Sequence, residues 1–328
     1  MYILKQKLKI MKKTLRLIMF AFIAISVTFT SCKKSDTNSD NSDLTTHSDD
    51  QARFSNETDA VNNDADAAVE NYGAFTGKPE NVSNVLTLPC DATVVLDSIP
   101  AVNPTTRRIT ITYNGTNCSG TRTRTGVVTL TMPLGQHFRD PGAVLTTTIT
   151  NLKITRISDG KSITINGEHE VKNVTGGRLI QLAPGATIVH EITSSGMSVE
   201  FDNGTTRTWQ VAKRRTFTNA GTINLAILVI TTTGMHTDGT ITGISEWGVN
   251  RFGNAFVTSI TEPMVIRQDC NFRLVRGQVT HHRLAADVVV TFGLDSAGNP
   301  TTCPAGVFYF KLVWTGANGI VRTYILPY

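Results

Sequence analysis

The feature that most constrains this chain is a two-residue rhythm that starts near residue 84 and runs to the C-terminus. It is clearest in Arg108-Ile109-Thr110-Ile111-Thr112-Tyr113, and Thr148-Ile149-Thr150 and Thr164-Ile165 continue it. Successive side chains of a strand point to opposite faces, so this pattern puts apolar residues on one face and Thr or charged residues on the other. Threonine makes up 49 of the 328 residues, and its β-branched side chain suits half-exposed strand faces. Sixteen segments fit strands, among them 84–97, 107–114, 124–132, 144–156, 161–174 and 205–214. Turn signals such as Asn114-Gly115, Asp159-Gly160, Asp202-Asn203-Gly204 and Asp238-Gly239 separate them. Asn166-Gly167 falls inside 161–174 and marks a candidate hairpin there. No long helix is expected after residue 81. Many short strands with turns between them predict an all-β protein: a large antiparallel sheet assembly, sandwich-like or of extended curved sheets. Asp202-Asn203-Gly204-Thr205-Thr206-Arg207-Thr208-Trp209 parallels Gly120-Thr121-Arg122-Thr123-Arg124-Thr125-Gly126. Two similar halves near 81–195 and 196–328 are one reading of that parallel; repeated hairpin chemistry within one continuous sheet is the other.

The N-terminal part follows different rules. Residues 17–29 form a thirteen-residue apolar run, short for a permanent membrane helix. Lys12, Lys13 and Arg16 precede it, and together they predict a secretion signal over residues 1–31, with Met11 an alternative start. Phe29-Thr30-Ser31-Cys32 then resembles a bacterial lipobox, in which Cys32 becomes the lipid-carrying residue. Phe29 departs from the Leu preferred there. Several acyl chains would anchor such a protein, because each buried CH₂ contributes about 0.8 kcal/mol. Residues 33–57 are rich in Ser, Thr, Asn and Asp, a composition that buries too little surface to offset ordering entropy. The expectation is a disordered acidic tether over 32–56. Over 57–80 it is one short helix, with Val61, Ala65, Ala68, Val69 and Tyr72 at helical spacing, and a linker.

Charge divides along the same boundaries. Residues 1–31 carry six basic groups and no acidic one, residues 32–80 a net −7, and residues 81–328 a net +6. Without the signal the chain is near neutral, so its overall formal charge of +5 gives no reason to expect nucleic acid as a partner.

With Cys32 assigned to lipid, Cys90, Cys118, Cys270 and Cys303 remain, an even number that suits two disulfides in an exported body. Three pairings exist, and the local pairs Cys90–Cys118 and Cys270–Cys303 are favoured. Paired short spacings for a zinc site are lacking, so no metal and no cofactor is expected. The histidines are scattered, and no zinc-hydrolase, phosphate-loop or nucleophile-elbow motif occurs. Glu168 and Glu170 are a candidate carboxylate pair for glycan hydrolysis, with charge alternation on a sheet face as the plain alternative. Arg outnumbers Lys 16 to 5 in the body. Arg122, Arg124 and Arg207 with Trp209 and Trp247 form a candidate ligand surface for an acidic glycan, through bidentate guanidinium contacts and ring stacking.

The segments around Gly120–Gly126, Asp140-Pro141-Gly142, Asp202–Trp209 and Ile241–Phe256, continuing through Ile260-Thr261-Glu262-Pro263-Met264 to Cys270 and Gly277, resemble a group of exported Bacteroidetes lipoproteins with a Thr/Arg-rich β domain. The resemblance implies outer-membrane attachment through the N-terminal lipid, facing the periplasm or the cell surface, and no defined activity. Three functions follow as expectations. The first is a non-catalytic, membrane-anchored lipoprotein whose β domain is structural or binds a ligand, with an envelope protein or a glycan as partner. The second is a glycan-binding module using Trp and Arg. The third is a carboxylate-dependent glycan hydrolase.

Overall fold

The computed structural model describes residues 37–77, 86–97, 105–194, 196–222, 225–303, 307–316 and 319–328. Residues 1–31 and Cys32 lie outside the described residues, and so does the start of the expected tether. From Ser42 to Tyr328 the chain forms one unit.

The protein is predominantly antiparallel β-sheet, as the two-residue rhythm predicts. Strands β1 (Ala92–Asp97), β2 (Thr106–Thr116), β3 (Arg122–Pro133), β4 (Ala143–Arg156) and β5 (Ser162–Asn173) follow one another as a meander. After them come β6 (Thr187–Ser194), β7 (Met197–Phe201), β8 (Thr206–Asn219), β9 (Leu228–Gly234), β10 (His236–Asp238), β11 (Ile241–Val249) and β12 (Ala255–Arg267). The chain closes with β13 (Arg273–His282), β14 (Val288–Leu294), β15 (Tyr309–Thr315) and β16 (Val321–Pro327). All sixteen belong to one sheet whose path runs from β1 to β16. Long strands front two shorter ones end to end: β8 pairs with β6 and β7 along one edge, and with β9 and β11 along the other. The expected halves therefore share a single ladder, because β7 pairs with both β5 and β8 across the boundary near residue 195.

Alternation accounts for which side chains are inside. On β2, Ile109, Ile111 and Tyr113 are buried, while Thr112 faces out. Two large apolar clusters result. One is built on β2 to β7, the other on β9 and β12 to β15, and β8 contributes Trp209 to the first and Phe217 to the second. Asn166-Gly167 does not form a hairpin. β5 is continuous there, and Gly167 marks the point where its neighbour changes from β7 to β6. Gly126 has a similar duty in β3. It sits at a bulge with φ +137°, and a Cβ on it would lie 2.5 Å from the carbonyl oxygen of Asn151.

The largest departure from expectation is at the N-terminus. Residues 37–71, assigned to a tether and a short helix, form one 35-residue helix, α1 (Thr37–Asn71). Residues 50–54 are buried without a break, and so are 65–70. Runs of five and six exceed the 3.6 residues of a turn, so at these levels no face of the helix looks outward. The curved sheet encloses it. Low apolar content hides such a helix from a pattern search, because partners and not propensity stabilise it. Its polar side chains also fold back on it: Ser48 donates to Leu44 O, Thr58 to Phe54 O, Asn62 to Thr58 O and Asn71 to Ala67 O. Tyr72 is extended (φ −113°, ψ 112°) and separates α1 from a single turn, α2 (Gly73–Thr76), closed by left-handed Gly77. Phe75 of α2 is fully buried and its carbonyl accepts the Phe138 N–H at 2.8 Å.

The two local cysteine pairs are the ones brought together. Cα–Cα distances are 5.3 Å for Cys90–Cys118 and 5.2 Å for Cys270–Cys303. Gly126→Ala is expected to lose more than about 1 kcal/mol of stability in urea unfolding, because strain and a backbone clash combine. Gly120→Ala is expected to lose less, since Gly120 also has positive φ but no atom within 4 Å of its would-be Cβ.

Candidate functional site

The inward face of the sheet is strongly basic, and what it meets is α1. α1 contains nine acidic residues and a single arginine, Arg53. Seven of its carboxylates each meet a different cation. Asp49 takes Arg156 of β4 at 2.7 Å, and Asp50 takes Arg251, beyond β11, at 2.6 Å. Glu57 meets Arg122 at 3.1 Å and Asp64 meets Arg124 at 2.8 Å, both from β3. Asp59 and Asp66 face Lys213 and Arg215 of β8, at 3.5 and 3.3 Å. Glu70 is held by Arg178 at 2.8 Å, and the Leu179 N–H donates to its other oxygen. Strand alternation explains the spacing: Arg122 with Arg124, and Lys213 with Arg215, are two apart and share a face.

Lys213 is at the centre. Its ammonium donates to Ser55 Oγ at 2.8 Å and lies 2.9 Å from Glu246 Oε1. Glu246 is completely buried, and its other oxygen accepts from Gln51 Nε2 at 3.1 Å and Trp209 Nε1 at 3.2 Å. Burial alone would push the Lys213 ammonium down, but Asp59 and Glu246 together outweigh it and hold its pKa above the usual value. Arg124 makes a comparable node. It lies over the Tyr113 ring at 4.3 Å and is held bidentately by Asp91 at 2.6 and 2.7 Å, beside Asp64. Burial raises the carboxyl groups of Glu57, Asp64 and Glu70, and pushes Asp50 to about 6 and Asp66 to about 7 against the pull of Arg251 and Arg215. Three enclosed histidines go the other way. Burial takes His47 and His190 down to about 3 and His169 to about 4, so all three are neutral.

The expected ligand surface is therefore divided. Arg122 and Arg124 point at α1. Trp209 is fully buried against Phe54 and Phe256, with ring centroids 4.7 and 4.5 Å away, and is part of the core. Arg207 donates to the Asn250 and Thr206 carbonyls. Trp247 stays partly open, as do Arg122 and Arg207. It stacks on His236 at 4.3 Å beside a cleft of about 200 Å³ that Phe256, Val257 and the Arg283–Asp238 pair also line. Glu168 and Glu170 lie on the exposed face of β5, where Glu168 accepts from Thr148 Oγ1; no acid or base partner joins them among the described residues. One cluster of metal-ligand type occurs among the described residues, Asp269 with Cys270 and Cys303, and its two sulfurs are already joined to each other. No family model, curated protein or solved structure matches this chain.

The sequence pattern marked Arg122 and Arg124 as anion-binding but did not show that Glu57 and Asp64 are their partners, or that Asp59 and Glu246 pair with Lys213 and Asp66 with Arg215. The available signal was charge complementarity: a net −7 segment followed by a net +6 body rich in Arg.

Lys213→Met would leave Glu246 and Asp59 buried without their cation. The expected loss is about 3–5 kcal/mol in chemical unfolding, with part of it recovered in Lys213→Met/Glu246→Leu. Acid acts through the histidines. His169 Nε2 lies 2.9 Å from Asn62 Oδ1, and Lys213 and Arg215 nearby add to the effect of burial. Its folded pKa lies below the unfolded 6.5, so its contribution is complete above about pH 6.5 and is lost as pH falls toward 4. Asp66, raised to about 7, changes stability in the opposite sense, its contribution being lost as pH rises through that value. In His169→Gln the stability gap to the parent protein is expected to shrink by on the order of 3 kcal/mol between pH 7 and pH 4, measured by urea melts at each pH. An unchanged gap would contradict a buried neutral imidazole.

Proposed function

We propose that this protein is a non-catalytic, membrane-anchored lipoprotein whose β body is a structural or ligand-binding scaffold closed around its own acidic helix. The observation that carries this reading is the use of the interior charges. Glu246, Lys213, Arg124 and Arg215, the groups best placed for chemistry, are each engaged by α1 or by its immediate neighbours and do not converge on an open cleft. Attachment rests on the signal-like residues 1–31 and on Cys32. No helix among the described residues is long and apolar enough to cross a membrane, and an N-terminal lipid supplies the anchor.

In cells, the parent protein is expected to incorporate labelled palmitate and to enter the detergent phase on Triton X-114 partition. Cys32→Ser is expected to lose both properties. Palmitate-free parent protein in the aqueous phase would sink the lipoprotein reading.

A second reading, a glycan-binding module, is favoured by one observation: the cleft at Trp247. His236 covers one face of the indole, and the Arg283–Asp238 pair adds hydrogen-bonding groups at the rim. Trp209 has no part in it. Retention of a saccharide on a glycan array, lost in Trp247→Ala with the melting temperature unchanged, is the outcome this reading requires; no retained saccharide removes it.

A further inference from the structure

α1 is attached to the sheet in a way that leaves it replaceable. It precedes every strand and takes no part in any β ladder, so its departure breaks none of the strand pairings. Its large apolar side chains in the core are few: Leu44, Phe54, Val61 and Val69, with small alanines between them. The rest of the interface is polar, and it is imperfectly satisfied. Fifteen buried side-chain polar atoms among the described residues lack an aligned hydrogen bond. Twelve of these belong to α1 or to the groups facing it; five of the twelve, Glu57 Oε2, Arg122 Nε, Asp59 Oδ1, His190 Nδ1 and Glu246 Oε1, lie within 3.5 Å of an ion-pair partner, and the other seven include both ring nitrogens of His47, Gln51 Oε1, His281 Nε2 and Arg215 Nε. A buried polar network that is only partly satisfied weakens the docked state, and the share of α1 in the two apolar clusters is limited to Leu44 and Ala52 in one and to Phe54, Val61, Ala65, Ala68 and Val69 in the other. A break point is also built in. Extended Tyr72 separates α1 from α2, while Phe75 and the Arg107 bond to Ala74 O fix α2 to the sheet.

We propose that α1 exchanges between molecules: the inward sheet face of one copy takes α1 of a second copy, and the pair closes reciprocally into a helix-swapped dimer. The inference rests on the helix–sheet geometry and not on the lipoprotein reading. Each contact that holds α1 is encoded in α1 and in the sheet, so a second copy offers all of them unchanged. The seven carboxylate–cation pairs, spread over residues 49–70, extend about 32 Å along the helix at 1.5 Å per residue. Such a pattern accepts this helix and rejects helices without carboxylates at those positions. Salt loosens the pairs, chiefly those near the surface, and so promotes exchange.

Two full-length chains test this. One carries Asp59→Lys and Asp66→Lys in the helix; the other carries Lys213→Glu and Arg215→Glu in the sheet. Each is mismatched with itself and matched to the other. The chains are tagged differently, mixed in 1 M NaCl, dialysed to low salt and sized by light scattering after tandem purification. The expected result is a 1:1 heterodimer at least tenfold enriched over either homodimer. Equal dimer in all mixtures would place association elsewhere and overturn the proposal. If the charge-reversed chains do not fold, differently tagged unmodified chains are taken through the same cycle with and without excess synthetic peptide of residues 42–71. Heterodimer that the peptide suppresses supports exchange. Monomer at every concentration and salt, or heterodimer indifferent to the peptide, overturns it.

Discussion

Everything in this molecule is arranged around Lys213 and the carboxylates that enclose it. An ammonium at 2 % exposure, 2.9 Å from a carboxylate at zero exposure, is costly to desolvate, and its attraction to Glu246 and Asp59 does little more than repay that cost. What the arrangement supplies is selection. A helix placed one residue out of register would rotate by about 100° and set Asp59 and Asp66 against apolar wall or against nothing. Repeated at Arg124, Arg215, Arg178 and Arg251, the same penalty leaves one axial position and one rotation for α1. The apolar clusters hold the sheet together, and the charges decide what it encloses.

This changes the meaning of the basic body. Its net +6 charge suggests a surface awaiting an anionic partner. Much of that charge faces inward, and the partner it meets is the acidic segment that precedes it in the same chain. Arginines that remain outside, such as Arg108 and Arg214, pair with the neighbouring Asp97 and Glu191 on adjacent strands. Exposed pairs of this kind contribute about 0–1 kcal/mol each.

The sheet was legible because its rule is local. Ile109, Ile111 and Tyr113 alternate with polar residues, and the alternation alone tells which face is buried. The cysteine pairs were legible for the same reason, since 28 and 33 residues of separation made the local pairings plausible. α1 was not legible, because nothing within residues 37–56 distinguishes a solvated polar segment from a polar segment wrapped in arginines. The distinction resides in Arg156, Arg251 and Glu246, at least 100 positions away. Trp209 illustrates the same limit. An indole between Thr208 and Gln210 on a strand suits an open platform or a buried wall equally, and it is the helix carrying Phe54 that makes it a wall. At Glu168 and Glu170 alternation was informative again, since it places both on the outer face.

The span of those contacts also sets the order of events when the chain is made. Asp50 meets Arg251 across 201 residues, and Gln51 meets Glu246 across 195. At about 5–20 residues per second of synthesis, α1 is complete roughly 10–40 s before its last partners exist. During that interval it has no core to enter, and its polar composition keeps it from aggregating as an apolar segment would. A leading helix that must wait for its enclosure is better built of Asp and Asn than of Leu. The composition that resembles a tether thus suits a segment that is made before the strands that enclose it.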